Sequence, residues 1–400
     1  MVGLVSLEAK TIEITVENKA KEARKAVPVV VCLRDIGIDV KSAIVKDKSG
    51  NEIPCQLDDY DSDGVYDELC IIVDIERKTT QTYTAELSEE GLPKEYESKV
   101  YVEMMMSNKK IKSTNKQDLY ISSLTVDKGV NPYWMLHHHG PAFENDMVAY
   151  RIYFDHRQTV DIYGKYKKGL ELRETQFYPD TEQKAAGYGD DVLWVGETFG
   201  LGTLRGWNGS EPQMITDVDH RTLCIVSRGP IRTIVKVVDE NWDGVDMTTY
   251  YTLYAGRRDC FVDVSFSKDV LDRQFATGII NVKNSSEYSD GKGLRGCWGT
   301  DWPVSEKDSA GHKRETVGLG ICIPAKNVVN ELPADKDNYP FVIGNIESRL
   351  QYNISFCSDN ETFPSEGAPE GFHSESQWFD YLKAWKEEIE NPVSVSYKDK

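Results

Sequence analysis

Residues 131–165, NPYWMLHHHGPAFENDMVAYRIYFDHRQTVDIYGK, hold the reading that decides the fold. Asn131-Pro132 and Gly140-Pro141 are turn signals, and the run after them is apolar, β-branched and aromatic. The two-residue period of a strand places Val148, Tyr150, Ile152 and Phe154 on one face and Ala149, Arg151, Tyr153 and Asp155 on the other. The first face is core-like. The second sets a cation, a phenol and a carboxylate about 7 Å apart, at a rise of ~3.3 Å per residue. The next run, Val160 to Tyr166, puts Tyr163 and Lys165 on one face and is suited to lie beside the first. Arg and Tyr are also ordinary strand residues whose heads reach water. Four of the chain's seven histidines fall in this span, however, with Glu144 among them, and that density marks it as the candidate functional centre.

Working outward, Tyr101 to about Ser358 reads as strand after strand: Val192–Val195, Thr222–Ser227, Thr233–Val238, Met247–Tyr254, Cys260–Ser267, Thr277–Val282, Val317–Ile323, Phe341–Ile346 and Gln351–Phe356. Turns rich in Gly, Asp, Asn and Pro separate them. Residues 1–98 read as a smaller β-sandwich, bounded by the charged, Gly- and Pro-containing link Glu89–Ser98. The expectation is an all-β protein with an N-terminal β-sandwich, residues 1–98, and a larger antiparallel sandwich, residues 99–400. A single helix closes the chain: Ser374 and Gln377 form a capping box, and Trp378, Leu382, Trp385 and Ile389 recur at helical spacing before Asn391-Pro392. That spacing docks the tryptophans against the sheet.

Composition bounds the partners. The formal net charge of -19 argues against nucleic acid and anionic membrane surfaces, which require a basic footprint. A short acidic oligosaccharide stays compatible if local Arg and Lys neutralise its carboxylate. No apolar run approaches the ~20 residues needed to span a bilayer. The start, MVGLVSLEAK, lacks the basic region of a signal peptide, which leaves either a cytoplasmic protein or one whose signal has been removed. The eight cysteines show no C-x-x-C spacing and mostly sit in apolar runs, so neither structural zinc nor a disulfide framework is read from them.

Asp59, Asp61 and Asp63 precede Gly64 in the D-x-D-x-D-G opening of a calcium loop. Position twelve is Cys70 where the bidentate Glu belongs, and a strand follows instead of a helix. A structural calcium ion and an acidic hairpin turn both fit these residues. Farther along, RGCWGTDWP offers Trp298 and Trp302 around Asp301, which suits the faces and hydroxyls of a sugar as well as it suits two tryptophans plugging a loop.

Four stretches together carry a family resemblance: QLDDYDSDGVYDEL, HHHGPAFENDMVAYRIYFDHRQTVDIYGK, SRGPIRTIV and the terminal WFDYLKAW. The chain resembles a family of proteins of unknown function common in polysaccharide-utilisation gene clusters of Bacteroidetes. The resemblance implies a galactose-mutarotase-like supersandwich in a secreted or periplasmic protein. Its wider relatives include polysaccharide lyases, epimerases and hydrolases, and some related proteins act as dehydratases on unsaturated uronate oligosaccharides.

Elimination next to a uronate carboxylate needs a cation at that carboxylate, a base at the carbon and an acid at the departing oxygen. The central stretch supplies Arg151 as neutraliser, His137 or His138 as base, and Tyr153 or Tyr163 as acid. Glu144 and Lys165, with Trp298, Asp301 and Trp302, are the candidate substrate contacts. In an extended segment His138 faces opposite His137 and His139, so one or two of the three are scaffolding. No cofactor is required by this scheme, although two histidines with Glu144 or Asp146 also have the ligand chemistry of a divalent metal site. Two-carboxylate glycoside hydrolysis, drawing on Glu144, Asp155, Glu174 or Asp191, is the enzymatic alternative. A non-catalytic glycan-binding protein is the third.

Overall fold

The structure is a computed structural model that describes residues 9–108, 116–365 and 367–400. Strands dominate it, and every pair of named strands is antiparallel. The strands Ala9–Asn18, Arg24–Cys32, Ser42–Lys46, Glu68–Ile75 and Thr79–Ser88 form two facing sheets. Ile12, Ile14 and Val16 alternate inward to meet Val29, Val31, Ile71 and Val73 in a core of their own. The edge strand Ser394–Asp399 completes this first sandwich by pairing with Ala9–Asn18. The chain's last residues, read from sequence with the second domain, thus return to the first.

The larger part is built on a nine-stranded sheet packed with two five-stranded sheets around one extensive core. The expected strands from Thr222 to Phe356 form close to their predicted bounds. Val192–Val195 does not. The strand there is Asp190–Asp191, and residues 192–195 leave the sheet as a loop, held where the Trp194 N–H donates to the Trp302 carbonyl at 3.2 Å. Apolar composition alone could not separate a buried loop from a strand.

The C-terminal helix Glu375–Glu390 begins after Ser374, whose side chain accepts from the Gln377 N–H. It lays Trp378, Leu382 and Trp385 on the nine-stranded sheet. A Cβ on Gly296 or Gly320 would sit 2.2 or 2.4 Å from a Leu382 methyl, so these strand glycines make the seat that lets the helix approach. Burying those large side chains is worth roughly 1.5–3 kcal/mol each.

The two sandwiches are stitched by buried polar contacts. Gln56 donates to Ser227 Oγ at 2.6 Å and accepts from the N–H groups of Ile231 and Arg232. Arg232 in turn donates to Asp58 at 2.7 Å and Glu68 at 2.8 Å. All eight cysteines are free thiols.

Candidate active site

The strand Ala149–Ile152 lies inside a sheet of Val100–Glu103, Ala142–Asn145, Ala149–Ile152, Val160–Gly164 and Asp190–Asp191. Its register sets Glu103, Ala142, Arg151 and Asp161 level in one row, and Tyr101, Glu144, Ala149, Tyr163 and Asp191 in the next. Val102, Phe143, Tyr150, Ile152 and Ile162 point the other way into the core. The predicted alternation has therefore made a sheet with one apolar and one ionisable face. Leu172 and Phe177, from the excursion between Gly164 and Asp190, pack on Ala142, Ala149 and Tyr163 and roof that second face.

Arg151 is its centre, and only 1% of it is exposed. Nη2 donates to Tyr153 Oη at 2.8 Å, to Asp161 and to Asp191 Oδ2 at 3.1 Å, while Nη1 donates to Tyr178 Oη at 2.8 Å. The Phe177 ring lies 4.0 Å from the guanidinium carbon. One cation can neutralise only one of two adjacent carboxylates. Burial first, and then the negative charge of Asp161, hold Asp191 well above the usual carboxylate range despite Arg151, and this favours its protonated form. Asp191 also reaches solvent, with 19% of its side chain exposed, whereas Asp161 has none. Arg151 itself is enclosed, with both terminal nitrogens engaged and only the buried Nε unpaired, and is not placed to neutralise a substrate carboxylate. That expected role does not fit this geometry; Arg151 holds the acid instead.

The three histidines are not extended. They form a tight turn in which His138 and His139 take left-handed backbone angles, φ 39° and 67°. The turn is pressed onto the strand below it: Phe154 N–H donates to the His139 carbonyl at 2.8 Å, and a Cβ on Gly140 would lie 1.8 Å from the Ile152 oxygen. This contact requires glycine. His138 is buried with Nε2 3.1 Å from Glu103 Oε1. Burial raises Glu103 to about 8 and lowers His138 to about 3, so the contact is a neutral hydrogen bond in which the carboxylic acid donates. His137 is also buried, with Nε2 unpaired, and burial lowers it to about 3. Neither histidine presents a base to the surface.

His139 does. Its Nδ1 lies 2.9 Å from the Tyr133 carbonyl, which can only accept, so Nδ1 carries the hydrogen and Nε2 carries the lone pair. Burial lowers its pKa to about 4, which keeps it neutral near pH 7. Its ring stacks on Tyr133 at 3.7 Å and lies 5.9 Å from Tyr153. Trp134, 73% exposed, stands edge-on to the pair. Arg157 lies 4.7 Å from the Tyr153 ring and 5.0 Å from that of Tyr133, with Nε bound to Asp155 at 2.9 Å.

The other predicted residues divide between structure and rim. Lys165 Nζ donates to Glu144 Oε2 at 2.5 Å, and Glu144 also accepts from the N–H groups of Glu171 and Leu172, so this fully buried pair pins the roof. It gathers no metal ligands with the histidines, and Asp146 instead faces Lys168 at 3.8 Å. Tyr163 is buried and donates to Glu171 Oε2 at 3.1 Å, which removes it from the role of acid. Trp298 packs beneath the C-terminal helix, away from Arg151. Asp301 accepts from the Trp302 N–H at 2.8 Å, and Trp302 meets the loop that follows Asp191. In the acidic loop Asp59 accepts from Ser62 and Gly64, Asp61 from Asp63, and Asp63 from Val65, which is a self-capped turn. Among the described residues Asp59, Asp61 and Asp67, not Asp63, bring carboxylate oxygens within 4.8 Å of one another, and Asp67 is already paired with Arg34.

Sequence reasoning missed Asp161, Tyr178, Glu103 and the role of His139. Asp161 was within reach, since it shares the alternation of Tyr163; nothing local marks Glu103 or Tyr178. A cleft of about 740 Å³ lies elsewhere, between the first sandwich and the helix end, with mostly apolar walls and with Arg257 neutralised by Asp259 and Glu388.

Residues 16–395 match the family described as Domain of unknown function (DUF4861). No curated protein matches the chain. Among solved structures, an alpha-mannosidase from Enterococcus faecalis V583 aligns at TM-score 0.46 and 11% identity, covering 97% of this chain and 46% of that one. A glycosyl hydrolase family 38 protein from Enterococcus faecalis aligns at TM-score 0.45 and 11% identity, covering 97% and 47%. The chain thus spans about half the length of either structure.

Proposed function

The chain belongs to the DUF4861 family, and from that premise we propose that it is a carbohydrate-active enzyme, a carbon–oxygen lyase on uronate-containing oligosaccharides. The observation that carries the reading is a surface-reaching Asp191 held by Arg151 and pushed toward its protonated form, linked through Arg151 and Tyr153 to a neutral His139 whose Nε2 carries the lone pair. Two titratable groups whose environments push them in opposite directions, an acid kept protonated and a base kept neutral, are the pair that elimination requires. Partly exposed Tyr133, Trp134 and Tyr178 beside these groups suit a sugar's apolar face and hydroxyls.

In this scheme His139 Nε2 takes the proton from the carbon next to the carboxylate. The electrons of that C–H bond form the carbon–carbon double bond, the C–O bond breaks, and Asp191 gives its proton to the departing oxygen. Transfer of the proton from His139 back to Asp191 through solvent restores the site. Arg157, whose Nε and Nη2 are bound to Asp155, would meet the carboxylate through its remaining Nη1 in place of Arg151. Tyr153 and Tyr178 orient the guanidinium that holds the acid.

Two-carboxylate hydrolysis draws support from Asp161 and Asp191 sharing one nitrogen, since hydrogen-bond lengths then keep their oxygens within about 6 Å. The complete burial of Asp161 weighs against it, because that carboxylate reaches no substrate. The test is a trial of saturated and unsaturated uronate oligosaccharides read by mass spectrometry. Loss of water, or cleavage without its gain, supports elimination. Gain of water supports hydrolysis, and unchanged mass with measurable binding supports a glycan-binding protein. A secreted or periplasmic location accords with such a substrate.

A further inference from the structure

Asp191 is followed three residues later by Trp194, an indole left 47% exposed in a protein whose other large rings are mostly covered. The Cα atoms of these residues are at most about 11 Å apart, within the span of a short oligosaccharide. The Trp194 backbone is tied to Trp302 by its N–H, and the Arg314 guanidinium carbon lies 5.2 Å from the Trp302 ring. Arg314 is exposed and has no carboxylate partner among the described residues, and Lys313 precedes it. Gly196, at φ 50°, leaves the indole edge open; a Cβ there would touch Trp194 Nε1 at 3.4 Å. A half-exposed indole three residues from the proposed acid is thus tied through its backbone to a second tryptophan that carries a guanidinium without a carboxylate partner, on a chain whose formal charge is -19.

We infer that Trp194, Trp302 and Arg314 form a subsite for a neighbouring acidic sugar, with the pyranose face on Trp194 and its carboxylate on Arg314. The chemistry of each part fits: indole faces bind the C–H face of a sugar, and a guanidinium forms paired hydrogen bonds with a carboxylate. The local cation matters because the net charge of the protein disfavours the approach of an anion. This subsite rests on the reading of Asp191 as the reacting centre for its place in the substrate, though not for its own binding.

The test is calorimetric binding to the whole protein, which needs no turnover. The probes are a size-fractionated uronate tetrasaccharide from pectate digestion and the same tetrasaccharide with its carboxyl groups reduced to alcohols. Trp194→Ala should weaken both about 10-fold, in keeping with the energy of one aromatic contact. Arg314→Gln should weaken only the acidic form, and Arg314→Lys should restore part of that loss. Trp194→Ala binding like the parent, Arg314→Gln affecting both forms equally or neither, or a parent that binds neither probe would each overturn the subsite. Binding that depends on Trp194 in a protein that converts no uronate would leave the subsite standing and defeat the lyase reading alone.

Discussion

Arg151 Nη2 and Asp191 Oδ2 lie 3.1 Å apart where the buried ionisable face of the sheet meets solvent. Burial first, and then the charge of Asp161, which shares the guanidinium, hold Asp191 well above the usual carboxylate range. Asp191→Asn, which removes the transferable proton at almost constant shape, should lower turnover by ~100-fold or more with the fold intact. In the parent, turnover should fall as pH rises through the elevated pKa of Asp191, since the acid must be protonated. Arg151→Lys should be less stable by several kcal/mol, roughly the ~3–5 kcal/mol of a broken buried pair, because lysine cannot serve two phenols and two carboxylates at once. Normal turnover in folded Asp191→Asn, on a substrate that the parent converts, would place the site elsewhere.

His139→Gln should abolish the proposed base and also change how stability depends on pH. The folded-state pKa of His139 is depressed to about 4 from 6.5, so its contribution is present above 6.5 and lost as pH falls toward 4. Between pH 7 and pH 5 the parent should lose about 2 kcal/mol more than the variant. Denaturant melts at the two pH values measure this. His138→Gln should change the pH dependence in the same sense, because burial likewise depresses His138 to about 3, while the opposite contribution of Glu103, raised to about 8, stays in both proteins.

The Glu144–Lys165 pair is structural. Glu144→Ala leaves a buried ammonium without its carboxylate and frees two backbone N–H groups of the roof, so it should cost roughly 3–5 kcal/mol. Replacing both partners, Glu144→Gln with Lys165→Met, should cost less than Glu144→Ala alone. A double-mutant cycle followed by chemical denaturation checks the sign, and an additive result would contradict the pairing.

Asp61→Ala should leave turnover within about 2-fold of the parent, since its carboxylate caps the acidic turn and the sandwich stitched by Arg232 stands apart from Arg151. Chelation of divalent ions should likewise leave turnover unchanged. A loss of activity that added calcium restores would make this loop a functional metal site.

Much of this was legible in the residues alone. The alternation from Val148 to Phe154 is a local property of extended backbone, and it correctly divided Tyr150 and Ile152 from Arg151 and Tyr153. The capping of the last helix at Ser374 is likewise local. The histidine turn escaped because the left-handed angles at His138 and His139 go with a long-range contact, the Phe154 N–H on the His139 carbonyl, that no local pattern announces.

What lay beyond sequence was which polar residues are sealed and which are open. Asp191 meets Arg151 across 40 residues and Tyr178 meets it across 27, through strand pairing and through a roof laid back over the sheet. Composition and spacing sufficed for an all-β chain with a row of ionisable groups on one strand face, because side-chain direction follows from backbone period. They could not say that Arg151 would be enclosed, that Asp191 would hold a proton or that His139 would keep its lone pair. Protonation is set by desolvation and by the nearest charge, and both come into being only when distant segments pack together.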